Sequence, residues 1–182
     1  SVRMREQNAH VARVLGIDSS TQSTKVELRD TDTGALLAHG RAAHPPTQPP
    51  RSEQDPGAWW DAVVGAVVDL GARRRETSAL AISCTSGTVC ALDAAGDAIG
   101  PGLLYADSRG AAGADPSWAV AKIGWLAEHR PDLVDRVASF TSPGGYLASR
   151  FLGRRAAIDV TQALKFGFDP GTGLWGSVPV AT

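Results

Sequence analysis

The sequence predicts an α/β fold, and three observations carry that prediction. Three short alternating strands open the chain, one strongly signalled helix follows, and strand–helix units fill the remainder. Strands joined by a few residues pair antiparallel, whereas parallel strands need a long crossover. The expected sheet is therefore mixed, with an antiparallel three-strand meander leading into parallel strands and flanking helices. With 182 residues, 43% hydrophobic and 20% charged, the chain has the composition of an ordinary globular protein with one good core.

The first strand is expected over 12–17, where Val14, Leu15 and Ile17 lead to Asp18. Ser19, Ser20, Thr21, Ser23 and Thr24 crowd the turn, and alternation resumes over 25–29 through Val26 and Leu28. A third strand, 35–43, follows the Asp30–Gly34 turn. The prolines at 45, 46, 49 and 50 then force a surface connector. Asp55 is a good N-cap with Pro56 at the first helical position. Trp59/Trp60, Val63/Val64 and Val67/Val68 recur at helical spacing, so both tryptophans read as core, and Gly71 is suited to close the helix. Arg73, Arg74 and Arg75 suit a helix C-terminus, where cations meet the carbonyl end of the dipole.

Residues 80–84 and 89–92 read as buried strands around Thr85-Ser86-Gly87-Thr88, and 99–105 as another. The Ala/Gly-rich stretch 106–116 is expected to be loose. Helices are expected over 117–128, 132–137 and 145–152, and 166–182 is expected to be irregular, with 171–182 forming a tail. Residues 1–11 are expected to be a disordered tail; because the only methionine is Met4, Ser1–Arg3 reads as a remnant or an over-extended gene start.

A formal net charge of −1, with no basic cluster beyond 73–75, argues against nucleic acid. No apolar run approaches the roughly 18 residues of a membrane span, and the polar start lacks a signal peptide's apolar segment. Cys84 and Cys90 lie too sparsely for a zinc site or disulfide framework; two buried thiols in a reducing cytoplasm are expected. His39, His44 and His129 have no ligand-like spacing and read as solvated, while Tyr146 and Trp125 read as core.

The chemistry lies first in the turn after Asp18. Its hydroxyls and backbone N–H groups can donate to phosphate oxygens, and a carboxylate at a strand end can hold Mg²⁺ directly or through water. An ordinary surface hairpin has the same composition, and no G-x-x-x-x-G-K-[ST] loop accompanies it.

Five segments, in order, resemble the FGGY carbohydrate kinases, most closely their xylulokinase branch, over roughly 12–170. Gly16-Ile17-Asp18-Ser19-Ser20-Thr21-Gln22-Ser23-Thr24-Lys25-Val26 resembles the family's first motif, and Ser52-Glu53-Gln54-Asp55-Pro56-Gly57-Ala58-Trp59-Trp60 its E-x-D-P-x-x-W-W helix entry. Leu103-Leu104-Tyr105-Ala106-Asp107-Ser108-Arg109 is similar to its N-D-x-R segment, with Ala106 in place of the usual Asn. Ala121 to Pro131 matches K-x-x-W-L-x-x-H-x-P, and Asp159 to Lys165 matches S-D-x-x-x-A.

The resemblance implies a ribonuclease-H-like (actin-like ATPase) domain and an ATP- and Mg²⁺-dependent kinase acting on a small-molecule sugar. It aligns the chain with the sugar-binding first domain, so the ATP-binding second domain and the general-base aspartate of the family's later half are expected to be absent, and the fragment inactive alone. Asp18 is then the catalytic residue that positions Mg²⁺–ATP or the attacked hydroxyl, with Thr21, Gln22, Ser23 and Lys25 near the phosphates; a carboxylate capping its own turn is the alternative for Asp18, and an exposed strand lysine for Lys25. Ser86 is the expected sugar contact and Gly87 leaves room for close approach of backbone or substrate, a plain Ser-Gly turn being the alternative. Here typical xylulokinases carry G-Q-x-H-G, whereas this chain resembles the T-S-G-T of ribulokinase-like pentulose kinases. Asp107 and Arg109 are expected sugar contacts as well, a surface ion pair being the alternative. The stretch from Arg109 to Lys122 is shorter than the family norm, so part of a loop over the substrate is missing. D-xylulose is the first expected substrate and D-ribulose the second. A non-catalytic actin-like sugar- or partner-binding domain left by truncation is the competing class, and a homodimer is compatible with either.

Overall fold

A computed structural model describes residues 12–47, 51–110, 115 and 117–176; the expected tail over 1–11, part of the proline connector and of the 106–116 stretch, and 177–182 lie outside the described residues. β1 (Arg13–Ser19), β2 (Ser23–Asp30) and β3 (Leu36–Ala43) form the expected meander. After the short β4 (Glu53–Gln54), α1 (Pro56–Val68) crosses one face of the sheet, and β5 (Ala79–Cys84) then pairs parallel with β1. The sheet order is β3-β2-β1-β5.

Strand alternation decides which face α1 covers. Leu15, Ile17 and Val26 are buried against Trp59, Val63 and Ala66 of α1. Gly16, Asp18 and Lys25 point to the other face, which is open among the described residues. Close approach at β3 requires Gly40, since a Cβ there would stand 2.0 Å from the Ala66 carbonyl oxygen. Asp55 caps α1 as expected, its side chain accepting from Gly57 N at 2.9 Å.

Beyond the sheet come β6 (Cys90–Leu92), β7 (Gly102–Leu103), α2 (Ala119–His129), α3 (Pro131–Val134), β8 (Ser139–Thr141), α4 (Pro143–Leu152), α5 (Val160–Lys165), β9 (Phe168–Asp169) and β10 (Leu174–Trp175). Several differ from expectation. The first helix ends at Val68 with Asp69 as its cap, and Gly71, at φ +60°, opens a 3₁₀ turn that carries the three arginines. The strand expected over 99–105 shrinks to β7, because Gly100 takes φ +76° and Pro101 has no N–H to donate. β7 pairs instead with β4. The helix expected from 145 starts at Pro143, capped by Ser142, whose hydroxyl accepts from Gly145 N at 3.1 Å. β8 and α5 have no counterpart among the expected elements. Part of the expected irregular tail is a small hairpin, β9–β10, with the Phe168 and Trp175 rings 5.2 Å apart.

Candidate active site

β1 and β5 end side by side, Asp18 beside Ser83 and Ser19 beside Cys84. The carboxyl ends of parallel strands are where loops open a crevice in α/β sheets. Asp18 lies opposite Lys25 of β2, and both line a shallow cleft of about 530 Å³ on the open sheet face with Gly16, Glu27, Ala81 and Ser83.

The turn itself is tight: Ser20 donates through both its N–H (3.0 Å) and its hydroxyl (3.1 Å) to the Ser23 carbonyl. Thr21 is half-buried and Gln22 exposed, and their N–H groups donate to no group among the described residues. Ser23, expected near the phosphates, has its side chain buried, its hydroxyl accepting from Arg41 Nε at 3.3 Å.

His44 corrects the expectation of a solvated ring. It is buried beneath the turn, with Nε2 2.9 Å from the Thr24 hydroxyl, which itself donates to Ser19 Oγ at 3.2 Å. Nδ1 has no hydrogen-bond partner among the described residues. Burial pulls the imidazole below its ordinary pKa, with the Thr21 and Ser20 backbones acting in the opposite direction. His39 is exposed as expected, and His129 stacks on Trp125 at 4.6 Å.

The Thr85–Thr88 loop meets the turn directly: Thr85 N donates to the Ser19 carbonyl at 3.3 Å. Ser20, Thr21, Thr85, Thr88, Gln54 and Leu104 line one narrow crevice of about 10 Å³. Ser86 is exposed at the loop tip. Gly87 takes φ +80°, and a Cβ there would fall 1.9 Å from the Ser117 carbonyl oxygen, so only glycine fits. Thr88 accepts from Tyr105 N at 3.2 Å, tying the loop to the 103–109 segment.

In that segment Asp107 is wholly buried and held by Arg109 in a two-point pair, Nε to Oδ1 at 2.9 Å and Nη2 to Oδ2 at 2.7 Å. Nη2 also donates to Glu53 at 2.7 Å, and the guanidinium lies 4.8 Å over the Trp125 ring. The pair with Asp107 pushes the Arg109 pKa further up. Asp107 thus anchors Arg109 and presents no surface of its own, while the Arg109 side chain keeps 17% of its surface exposed. Trp125, expected in the core, is half-buried and serves as the platform for Arg109 and His129. The buried Lys122 stands behind, its Nζ 3.5 Å from the Tyr105 carbonyl; burial pulls its pKa to about 8 against the attraction of Asp107 and Asp115.

Cys90 is buried, which pushes its thiol up to about 12. Cys84 is only half-buried and receives Gly144 N at its sulfur (3.1 Å), while its carbonyl accepts from Gln162 Nε2 (3.3 Å), so α4 and α5 meet the same strand end. Gln54, His44, Glu53 and Lys122 are the residues that sequence reasoning missed as contributors. Three of them stand inside recognised motifs, so the signal was present without a role attached.

No group of three or more metal-type side chains occurs among the described residues. Mg²⁺ needs fewer, being held by one or two carboxylates together with phosphate oxygens and waters. The exposed Asp18 carboxylate fits that pattern; it lines the sheet-face cleft, while Thr21 lines the separate crevice beside the Thr85–Thr88 loop.

No family model matches the chain. Individual proteins do. The xylulose kinase of Streptomyces rubiginosus is 34% identical over 185 residues, which is 90% of this chain and 37% of that protein. The xylulose kinase of Arthrobacter sp. (strain NRRL B3728) is 43% identical over 98 residues, covering 54% of this chain and 97% of that sequence. Among solved structures, the xylulose kinase from Bifidobacterium adolescentis superposes with a TM-score of 0.78 at 26% identity, over 91% of this chain and 41% of that one. Plasmodium falciparum glycerol kinase with ADP shares the fold, with a TM-score of 0.78 at 19% identity over 92% of this chain and 40% of that one. The chain spans little more than a third of the length of the Streptomyces relatives, 37%.

Proposed function

The chain belongs to the FGGY carbohydrate kinase family, on its xylulose kinase branch, and from that premise we propose that it forms the sugar-side part of an ATP- and Mg²⁺-dependent kinase. Its substrate in this reading is a ketopentose, D-xylulose first, giving D-xylulose 5-phosphate, and D-ribulose second on account of the Thr85–Thr88 loop. The observation that carries the reading is the bond from Thr85 N to the Ser19 carbonyl, which joins the phosphate turn to the sugar loop in one crevice.

In this reading Asp18 holds Mg²⁺, which supplies charge neutralisation between phosphate groups. The N–H groups of Thr21 and Gln22 donate to the transferred phosphoryl, where positioned donors are worth most because charge develops there. Lys25 adds positive charge from the neighbouring strand. Ser23 supports the turn from inside rather than touching phosphate. Ser86 offers a hydroxyl to the sugar, and Gly87 lets the loop approach α2. Arg109 offers its remaining donors to sugar hydroxyls, with Asp107 fixing its direction. Proton removal from the attacked hydroxyl belongs to the family's later half. A cytoplasmic setting goes with two free thiols; among the described residues no helix is long and apolar enough to cross a membrane. A homodimer is part of the proposal only as an assembly to be measured.

A chimera tests this function. Residues 12–170 replace the matching part of the Streptomyces rubiginosus xylulose kinase, and ADP release is followed with D-xylulose, D-ribulose and glycerol. Release stimulated most by D-xylulose is expected. A chimera that folds by circular dichroism and releases no sugar-stimulated ADP supports the non-catalytic alternative instead.

A further inference from the structure

The phosphate turn owes its shape to a residue that does not belong to it. Gln54, at the end of β4, is only 4% exposed, and every polar atom of its side chain is engaged. Its amide nitrogen donates to two backbone carbonyls, Thr21 at 3.0 Å and Pro45 at 2.8 Å. Its amide oxygen accepts from the indole Nε1 of Trp59 at 2.8 Å. Trp59 is a donor only, so it dictates which way the Gln54 amide faces; the flipped amide would set donor against donor. Trp59 is itself immobilised, 2% exposed, edge-on to Tyr146 at 6.2 Å, and closing on Gly102, where a Cβ would meet its ring at 2.3 Å.

The consequence for the turn follows from peptide geometry. In a planar trans peptide the carbonyl and the next residue's N–H point in opposite directions. Drawing the Thr21 carbonyl inward to Gln54 therefore turns the Gln22 N–H away from the core. That N–H donates to no group among the described residues, and Gln22 is exposed. The Gln22 carbonyl is drawn in as well, accepting from His44 N at 2.8 Å. Two successive carbonyls are thus held inward. Left to itself, a turn peptide can rotate about its flanking dihedrals and present its carbonyl, which repels phosphate, where its N–H should be.

We propose that Gln54, oriented by Trp59, is a positioning residue that aims the Gln22 N–H at the phosphoryl group. The inference rests on the kinase reading of Asp18 and the turn, and it adds the residue that preorganises that site.

The test uses the 182-residue chain, ¹⁵N-labelled, and Mg²⁺–tripolyphosphate as the probe. In Gln54→Met, at a temperature where circular dichroism shows a folded protein, the Gln22 amide resonance is expected to move and the affinity for the probe to fall about tenfold, the loss of one well-aimed donor to a charged group. Leu133→Ala, in a separate apolar cluster, is the stability control and is expected to keep full affinity. A Gln54→Met protein with its Gln22 amide unmoved and affinity within about twofold of the parent, a step of only about 0.4 kcal/mol, overturns the proposal. If Gln54→Met does not fold, Trp59→Phe decides: it keeps the amide but frees its orientation, so affinity is expected to fall, and unchanged affinity overturns the proposal. If the parent chain itself does not bind the probe, ADP release by the chimera decides the kinase reading. The Gln22 resonance and its hydrogen exchange in the two variants then decide on the clamp alone.

Discussion

Arg109 and Asp107 are joined by two parallel hydrogen bonds, at 2.9 and 2.7 Å, with the aspartate fully out of solvent. Breaking such a pair strands a buried charge, which costs far more than losing an exposed ion pair. Asp107→Asn is expected to lower stability by about 3 kcal/mol. Glu53→Gln, at the more exposed end of the network, is expected to cost under about 1 kcal/mol. Urea denaturation of both variants checks the order; equal losses would contradict it.

His44 gives the chain an acid-sensitive stability. Its folded pKa lies below the ordinary 6.5, so below that pH the unfolded chain binds more protons than the folded one. The stabilisation is complete above about pH 6.5 and fades as pH falls through the folded value, by no more than about 1.4 kcal/mol per unit for one group. Urea melts at successive pH values between neutrality and pH 5 are expected to show this loss. In His44→Gln the slope is expected to be shallower, and parallel slopes would remove His44 from the explanation.

Gly87→Ala is expected to destabilise by about 2–4 kcal/mol, because a positive φ and a clash with the Ser117 carbonyl act together. In the chimera described above, the same change is expected to raise KM for the sugar more than for ATP. Thermal melts and steady-state kinetics provide the two readouts.

The parts of this fold legible in the sequence are those with local causes. Alternation placed the β1–β2–β3 meander, and the Asp55 cap with Pro56 placed α1, because each signal lies within a few neighbouring residues. β4 and β7 are two residues each and exist only through one another, so no local pattern announces them. His44 reads as a surface residue after a strand until the 20–23 turn folds over it, and Lys122 is buried by the Tyr105–Asp107 segment 17 residues earlier in the case of its carbonyl partner. Asp18 and the Thr85–Thr88 loop were recognisable as motifs. The inward orientation of Ser23 and the closure of Asp107 behind Arg109 were not, since side-chain direction at a turn depends on what packs beneath it.

The central claim is that Asp18 and the turn after it hold a metal–nucleotide phosphate. The most direct measurement is an amide NMR titration of the 182-residue chain with Mg²⁺–ATP, alongside Asp18→Asn. Saturable shifts confined to residues 18–25 and 83–88, lost in Asp18→Asn and without added Mg²⁺, are the predicted result. A parent chain whose turn resonances stay fixed while nucleotide binds elsewhere would contradict the account.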